Sequence, residues 1–345
     1  MNAKRVVFLV VAAWAGAAQA DVFNMGPGLT SLEMVTVGNP GNALDVHPAN
    51  NHPDGFGAVD HTYNIGKYEV TAGQYTACLN AVAKTDTHGL YNPSMWTSAL
   101  GCKIQQSGTS GSYTYSVAPD YANRPVNWVS FWDAARFANW LQSGDTESGA
   151  YHDIGNQSLF GRNPGAKFFV PTENEWYKAA YHKNDGVTGN YWDFPTGWNY
   201  PTPSRDMTES TNSGNNANYY GFNFAGYPID PPYYTTLAGE FQLSASPYGT
   251  FDQGGNVYEF NETANAYVFE EAPVGSLRGY RGGCFGDNAF PLLAYEPLYG
   301  GPAHETAGFG FRVASVPEPG SIILLVSGAI GLLAWAWQRR KRTAT

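Results

Sequence analysis

The sequence predicts an α+β fold, in which a few helices and short strands share one domain with much coil. The 345 residues include 40 glycines and 22 prolines, which divide most of the chain into short runs. These runs do not alternate between strand and helix patterns, so a parallel βαβ architecture is not expected. Aromatic residues form 15% of the chain and charged residues 14%, a composition typical of a packed domain rather than of disorder. No linker-like stretch or internal repeat is evident, which favours a single domain.

The first helix start that the sequence marks clearly is at Ser130. Ser130 and Asp133 fit the Ser-x-x-acid pattern, in which each side chain satisfies a free backbone N–H group at the beginning of a helix. Residues 134–142 continue the helical pattern. Gly144 ends it, because glycine readily adopts the left-handed conformation that closes many helices.

Two more helices are predicted on either side of this one. Thr172 and Glu175 form a Thr-x-x-Glu capping box, which places a helix start at Thr172. The preceding residues 167–170, Lys-Phe-Phe-Val, have the apolar and aromatic composition of a short strand. A third helix is predicted from Thr71 to Ala83. The remaining segments, broken by Gly, Pro and Asn, indicate irregular backbone and short strands.

Residues 1–20 are predicted to be a secretory signal peptide. Lys4 and Arg5 precede a short apolar run that ends in the small-residue pattern Ala18-Gln19-Ala20. This run is too short to cross a membrane unaided, and an ordinary N-terminal helix would not need the Ala-x-Ala ending. The folded domain is therefore expected to occupy residues 21–315.

The C-terminal segment, residues 316–342, combines three features in order. Pro317-Glu318-Pro319 comes first, residues 321–337 are 17 uncharged and largely apolar residues, and residues 339–342 are basic. Hydropathy alone predicts a short transmembrane helix whose basic end stays in the cytoplasm. The full order resembles the PEP-CTERM sorting tail of bacterial surface proteins. The resemblance implies processing by an exosortase near Pro317, Glu318 and Pro319, and release from the membrane to the cell envelope surface or an extracellular matrix.

The charge balance restricts the partners of the exported domain. The chain has 29 Asp and Glu residues against 19 Lys and Arg residues, for a net charge of −10, and six of the basic residues lie in the two terminal segments. The domain itself is therefore more acidic than this balance indicates. Such a charge disfavours nucleic acids and anionic membrane surfaces as partners.

Six sequence blocks follow one another in the order of a known family. The blocks are Tyr68-Glu69-Val70-Thr71 with Tyr75, Arg124 to Ala134, Val170 to Trp176, Gly255 to Phe260, Arg281 to Phe285, and Gly310-Phe311-Arg312. Over most of residues 22–314 they resemble the formylglycine-generating enzyme family, also called the sulfatase-modifying-factor family. Residues 122–127, Ala-Asn-Arg-Pro-Val-Asn, resemble its branch with PEP-CTERM tails. The resemblance implies a compact, coil-rich α+β fold related to C-type lectins.

The resemblance also gives the position of the family's copper site. Catalytic members carry a cysteine pair after the Arg-Gly-Gly-like block, and two thiolates suit Cu(I). The matching positions here are Asp287 and Leu292; leucine cannot ligate a metal, and aspartate is a hard oxygen donor. Copper and its oxidase chemistry are therefore not expected. Cys284 stands where the family usually has serine, and it is either a small packing residue, the favoured interpretation, or a reactive thiol.

A calcium site is predicted in the segment from Asp252 to Glu259. Two carboxylates flank a Gly-Gly pair there, and calcium binds carboxylate oxygens together with backbone carbonyls that glycine can present. Family members bind calcium with this block, so the resemblance implies the side chains of Asp252 and Glu259 and the carbonyls of Gly255 and Val257 as ligands. The alternative is that Glu259 pairs with an arginine. A second family calcium site maps, less regularly, onto Asn218, Tyr219, Asp230 and Pro232.

Three other features each allow two interpretations. Residues 44–61 contain three Asp and three His residues, which could ligate zinc or iron or could belong to a solvated loop. Cys78 and Cys102 could form a disulfide in an exported protein or stay as buried thiols. Residues 191–220, rich in Tyr, Trp and Asn, could stack on sugars or form core and lid packing.

Together these patterns predict an exported, exosortase-sorted surface or matrix protein with one calcium-stabilised domain. Its leading functional class is a binding or structural module that recognises an exopolysaccharide or surface proteins through aromatic-rich loops. The alternative is an enzyme of the same family that uses unrecognised chemistry, at Cys284 or at the acidic and histidine-rich residues 44–61.

Overall fold

A computed structural model gives the arrangement of the domain. It describes residues 31–46, 55–206, 214–221, 226–229, 231–265 and 274–317, all of which belong to one compact unit. The predicted signal peptide, residues 1–20, and the predicted transmembrane helix, residues 321–337, lie outside these ranges. No helix within the ranges is long and apolar enough to cross a membrane. Four α-helices and twelve short strands, joined by long irregular segments, form an α+β fold in the described residues.

The elements follow the chain in a mixed order of helices and short strands. The helices are α1 (Ala72–Val82), α2 (Ser94–Thr97), α3 (Phe131–Ser143) and α4 (Glu173–Tyr181). The strands are β1 (Met34–Val37), β2 (Tyr63–Gly66), β3 (Ile104–Ser107), β4 (Thr114–Val117), β5 (Tyr151–His152), β6 (Gly161–Arg162), β7 (Phe168–Phe169), β8 (Tyr258–Ala264), β9 (Arg278–Arg281), β10 (Leu298–Gly300), β11 (Phe309–Gly310) and β12 (Ala314–Ser315).

The three longer helices begin where the sequence predicts them. The Ser130 hydroxyl accepts a hydrogen bond from the Asp133 N–H group, and the Asp133 carboxylate accepts one from the Ser130 N–H group. Thr172 and Thr71 head capping boxes of the same kind on α4 and α1. Each such cap contributes about 1 kcal/mol. Gly144 follows α3 with φ = 79°, the left-handed conformation expected of a helix-ending glycine.

Two four-stranded sheets form the framework of the domain. The first has the order β1-β2-β12-β7 with antiparallel neighbours throughout. In it Ala314, on the last strand of the domain, lies between Ile65 and Phe169. The second sheet has the order β10-β9-β8-β11, in which β11 runs parallel to β8. Pairing between distant segments, rather than local hairpins, therefore closes the fold.

An aromatic core joins the helices to the second sheet. The rings of Tyr75 on α1 and Phe137 on α3 have centroids 6.1 Å apart, and the Phe311 ring lies 5.3 Å from that of Phe137. None of the three is more than 1% exposed. Burying an apolar side chain of this size contributes about 1.5–3 kcal/mol, so this cluster is a main source of stability.

Cys78 and Cys102 are both buried and carry free thiols. This is the second of the two interpretations that the sequence allows. The Cys102 N–H group donates to the Asn127 side-chain oxygen at 2.9 Å. Burial raises the pKa of Cys102 to about 11 and raises that of Cys78 still further, so both thiols stay protonated at neutral pH.

Candidate functional site

Glu259 on β8 lies at the centre of the domain in a fully partnered arrangement. One carboxylate oxygen accepts a hydrogen bond from the Trp176 indole N–H at 2.6 Å, and the guanidinium of Arg312 contacts both oxygens, with Nη2 2.6 Å from Oε1. Glu259 and Arg312 are 0% exposed. The arginine pairing that the sequence leaves open for Glu259 is therefore present, and it ties β8 to α4 and to the segment after β11.

Two more carboxylates lie close to this ion pair. Glu69, 2% exposed, accepts a 3.2 Å hydrogen bond from the Asn256 amide. Burial raises the pKa of Glu69 well above its ordinary value, and the charges of Asp252 and Glu259 raise it further. Burial likewise raises the pKa of Asp252 to about 6, with Glu259 adding to the effect. Three acidic groups thus surround the single guanidinium of Arg312, and the raised pKa values of Glu69 and Asp252 favour the protonated forms of these two. A bound divalent cation would instead stabilise their charged forms.

The predicted calcium ligands in this segment divide into two groups. Asp252 accepts a 2.7 Å hydrogen bond from the Gly239 N–H group, and no Lys or Arg of the described residues forms an ion pair with it. Glu259, by contrast, has both oxygens engaged. Of the two predicted side-chain ligands, Asp252 therefore fits a cation better. Gly255 and Val257, whose carbonyls complete the predicted set, lie between them in the chain and are buried.

Gly255 brings this segment against the second predicted calcium site. It has φ = 85°, and a Cβ atom there would lie 2.1 Å from the backbone oxygen of Asn218, so only glycine allows the approach. The amide of Asn218 donates to the Tyr234 carbonyl at 2.9 Å and to Asn256 Oδ1 at 2.8 Å. Asn218 Oδ1 is buried and has no hydrogen-bond partner among the described residues. An acceptor oxygen in this state fits a cation ligand.

The other predicted ligands of the second site are less favourable. The Tyr219 carbonyl accepts a 2.9 Å hydrogen bond from Arg205 Nε, which brings a positive charge next to it. The Pro232 carbonyl accepts a 2.6 Å hydrogen bond from the Tyr121 hydroxyl. Asp230 lies outside the described residues. Only Asn218 therefore gives direct structural support to this site.

Cys284 and Asp287 form a contact at the position where catalytic family members hold copper. The thiol of Cys284 donates to Asp287 Oδ2 at 2.9 Å, and the Gly286 N–H group donates to the sulfur at 3.4 Å. Cys284 is 8% exposed, and Leu292, the other copper position, is 0% exposed. Burial raises the pKa of the Cys284 thiol well above its ordinary value, and the Asp287 charge raises it further. A thiol in this setting stays protonated, which is the condition of a packing residue.

A cluster of three tyrosines packs on Phe285, the neighbour of Cys284. The Tyr227 ring lies 5.0 Å from the Tyr234 ring and 6.0 Å from that of Phe285. Tyr220 packs on Tyr227 at 4.9 Å. The high local frequency of tyrosine was visible in the sequence, but the pairing depends on loop conformations that no local pattern specifies.

The described parts of residues 44–61 pack against the rest of the domain, and two of their contacts involve the acidic and histidine side chains. The Asp45 carboxylate accepts a 2.6 Å hydrogen bond from the Tyr177 hydroxyl. Farther along, His61 bridges Asp60 at 2.8 Å and Glu175 at 3.0 Å. His47, His52 and Asp54 lie outside the described residues. In the part of the chain that the structure describes, no three His, Cys, Asp or Glu side chains come together as a metal site.

Residues 191–220 contain both buried and exposed aromatic side chains. Tyr219 and Phe194 are 5% and 4% exposed and belong to the core. Tyr200 and Trp198, in contrast, are 83% and 41% exposed. The indole N–H of Trp198 donates to the Gly214 carbonyl at 3.1 Å, which fixes the ring on the surface. Residues 207–213 lie outside the described ranges.

Glu69 and Asn216 are the residues near the predicted calcium segment that the sequence analysis missed. Glu69 belongs to a block that was recognised, but nothing in its local pattern shows that β2 and the following residues bring it to β8. Asn216 is one of several asparagines in a polar stretch, and what distinguishes it from its buried neighbour Asn215 is a side-chain oxygen without a hydrogen-bond partner among the described residues. Both depend on long-range packing.

The capped helices, the two sheets closed by distant pairings and the buried arginine–glutamate centre define a coil-rich α+β domain of the sulfatase-modifying-factor class. Residues 28–316 match the family described as "Sulfatase-modifying factor enzyme 1-like domain", and the chain belongs to this family. Residues 315–341 match the PEP-CTERM protein-sorting motif. Both resemblances recognised in the sequence are thereby confirmed. The sorting motif implies export, processing by an exosortase and attachment to the cell surface.

Several solved structures are similar to this chain at low sequence identity. "Crystal Structure of CarF" is 20% identical with a TM-score of 0.48, and the match covers 83% of this chain and 99% of that one. Variable protein 1 of Treponema denticola is 20% identical with a TM-score of 0.47, covering 84% and 96%. PvdO from Pseudomonas aeruginosa is 19% identical with a TM-score of 0.45, covering 83% and 95%. No curated protein matches the chain.

Proposed function

We propose that this protein is a surface or extracellular-matrix module that binds a glycan or another surface protein and lacks copper oxidase activity. The exposed aromatic pair Trp198 and Tyr200 carries the proposal. Rings of this size are usually buried, and two of them close together in a polar loop offer flat apolar faces that suit the CH groups of sugars. The relation to C-type lectins that the family resemblance implies would agree with such a role.

The chemistry at the family's copper position supports a binding role over an oxidative one. Leu292 is buried beside Phe194 and Tyr219, where it offers no metal ligand. Asp287 is hydrogen-bonded to the Cys284 thiol, which is itself held protonated by its surroundings. A Cu(I) site needs soft, deprotonated sulfur ligands, and this arrangement offers none in that state.

Calcium is proposed as a structural ion of this module. Its support is the grouping of the carboxyl groups of Glu69, Asp252 and Glu259 around the one guanidinium of Arg312, together with the unpartnered oxygen of Asn218. When bound, calcium would hold the segment after Asp252 against the loop that carries Asn218. Asp252 and Asn218 are the side chains that would hold it.

Binding can be tested with the producer's own exopolysaccharide. Full-length protein and the variants Trp198→Ala and Tyr200→Ala are compared for retention on the immobilised polymer. Removing either ring should weaken retention by about tenfold, equivalent to about 1.4 kcal/mol. Trp96→Ala is the matched control, because Trp96 is 39% exposed, close to the 41% of Trp198, but lies on α2. Equal retention by all four proteins, or turnover of the polymer, would contradict the proposal.

Processing can be tested separately by mass spectrometry of the mature surface form. Cleavage near Pro317-Glu318-Pro319 should leave a C-terminus between residues 316 and 321. Replacing Glu318 with Ala should reduce the amount of processed protein, because the motif is what the exosortase is expected to read. Intact residues 339–342 on the surface form of the wild type would rule this processing out.

A further inference from the structure

A small cavity lies beside Asp252, and Glu259 does not line it. Its volume is about 10 Å³, close to the space that a single water molecule or ion needs. Oxygen-bearing side chains line much of it, among them those of Asn216, Ser244, Thr250 and Asp252. No His or Cys lines it, so its possible metal ligands are oxygens; Pro195 and Phe241 contribute apolar surface.

Asn216 gives this cavity an acceptor that has no donor. The residue is 2% exposed, and its Oδ1 has no hydrogen-bond partner among the described residues. Its Nδ2 donates to the Asp206 carbonyl at 3.1 Å. That carbonyl needs a donor, so the orientation of the amide is fixed with the oxygen directed elsewhere. Burying such an oxygen without a partner costs free energy unless something in the cavity supplies positive charge.

Asp252 adds a second incompletely satisfied acceptor on the same cavity. Its carboxylate receives one hydrogen bond, from the Gly239 N–H group, and has no ion-pair partner in the described part of the chain. The backbone of Asp252 is held at φ = 61°, a left-handed conformation that a non-glycine residue adopts only when its surroundings impose it. The fold thus holds this carboxylate in a fixed place.

From these contacts we propose that calcium binds in the cavity, with Asp252 and Asn216 Oδ1 as its side-chain ligands. The inference rests on the calcium ion proposed above and deepens it. It replaces Asn218, which does not line the cavity, by Asn216, and it leaves Glu259 to Arg312. The carboxylate, amide and hydroxyl oxygens on the wall suit a hard cation. Magnesium, which keeps several of its own waters, is too large in its hydrated form for a space of this volume. Ser244 and Thr250 supply further oxygens on the wall.

A single trapped water is the competing occupant, since it could donate to both oxygens. The two occupants respond in opposite ways to Asn216→Asp. A second carboxylate strengthens binding of a divalent cation, whereas around a water it only adds repulsion to Asp252. Asn216→Ala removes the acceptor and should weaken calcium binding by about tenfold or more, the usual cost of losing a metal-site partner.

The experiment is calorimetric titration of chelator-treated, full-length protein in detergent with calcium and, separately, with magnesium. Asp252→Asn identifies the isotherm of this site. Asn216→Asp should bind calcium about tenfold more tightly than wild type, lose thermal stability in chelator and recover it with calcium. Asn215→Asp is the matched control: Asn215 is the buried neighbour, but its oxygen already accepts a 2.6 Å hydrogen bond from Thr196, so its calcium isotherm should not change.

Each outcome separates the two proposals. If wild type binds no calcium, the structural ion itself is refuted. If wild type binds calcium but both Asn216 variants titrate like wild type, only the assignment of Asn216 is overturned. If Asn216→Ala does not fold, Asn216→Asp still decides, because destabilisation that calcium does not reverse indicates a water. Equal binding of magnesium would overturn the choice of calcium.

Discussion

Glu259 and Asp252 lie in one short segment, but only Glu259 has a positively charged partner within the described residues. Glu259 is fully buried, with both oxygens held by Arg312 and Trp176. Asp252 faces a small cavity, with one backbone donor and no cationic partner in the described residues. The comparison shows that burial alone does not separate structural from ligand-binding carboxylates. What separates them is whether the protein itself supplies the compensating charge.

The largest expected effect comes from removing the positive charge that compensates Glu259, that of Arg312. Arg312→Met should destabilise the protein by about 3–5 kcal/mol, because it leaves a buried carboxylate without a partner. Denaturant-induced unfolding would measure this. Lys67→Met is the control, since it breaks the 3.0 Å pair with the 40%-exposed Glu33 side chain and should cost under about 1 kcal/mol. Similar losses in both variants would mean that Glu259 is compensated by other groups.

The second prediction concerns removal of the calcium ion that Asp252 is proposed to bind. Calcium at a hundredfold excess over its Kd should stabilise the wild type by about 2.7 kcal/mol, which a chelator would abolish, lowering Tm by several degrees. Asp252→Asn should lose most of this response, and asparagine tolerates the left-handed backbone at that position.

Asp45→Asn is a suitable control for this measurement. Asp45 accepts a hydrogen bond from Tyr177, is only 9% exposed and does not line the cavity, so its replacement disturbs a buried contact elsewhere. It should be less stable than wild type but retain the full response to chelator. A wild-type melting curve that a chelator leaves unchanged would contradict the proposed ion.

Asp287 offers a third case, a carboxylate whose partner is a neutral thiol, that of Cys284. It stands at a position where catalytic family members carry a copper-binding cysteine. Cys284→Ser keeps a donor to Asp287 at nearly the same volume, so the cost should stay below about 1.5 kcal/mol. Alkylation of folded protein at neutral pH should be slow at Cys284, because its raised pKa leaves little thiolate. Peptide mapping can follow Cys78 and Cys102 in the same sample. Fast and selective labelling of Cys284, with loss of any measured activity in the variant, would favour the enzymatic alternative.

The smallest expected effect is at the surface, where His61 contacts two carboxylates. The hydrogen bond to Glu175 raises the pKa of His61; burial opposes this, and Asp60 adds to it. The contact should therefore stabilise the protein fully below pH 6.5, the ordinary value for histidine, and lose its effect as the pH rises through the higher folded pKa. Its size should stay below about 1 kcal/mol, because the side chain is 54% exposed. Urea unfolding of wild type and His61→Gln from pH 5 to 9 would measure the difference; a gap that does not vary with pH would refute the prediction.

The features that could be predicted from the sequence are those that depend on a few consecutive residues. Ser130, Thr172 and Gly144 mark helix ends because capping and left-handed turns involve only a few consecutive residues. The family and its sorting tail were likewise recognisable from ordered blocks. The sequence also offered a pairing of Glu259 with an arginine as one of two interpretations, but it did not indicate which arginine. Arg312 approaches Glu259 because β11 pairs in parallel with β8.

Asn216 shows what remained beyond local patterns. Its residue type and its neighbours are those of an ordinary polar loop, and its importance comes from burial and an unmet acceptor. These are properties of the packed domain, in which segments separated by many residues enclose a small space. For the same reason the exposure of Trp198 and Tyr200, within a stretch whose other aromatic residues are buried or half-buried, could not be predicted from composition.

The place of β12 has a consequence for the timing of export. Ala314 and Ser315 are the last strand residues before Pro317, yet they lie between β2 and β7 in the middle of the first sheet. A chain that leaves the cell from its N-terminus must therefore hold β2 and β7 apart until nearly all of it has been translocated. Such late, non-local closure makes folding slow and leaves open strand edges exposed in the meantime. Because the sorting motif follows immediately, we expect the first sheet to be completed only at about the time that the motif itself reaches the membrane.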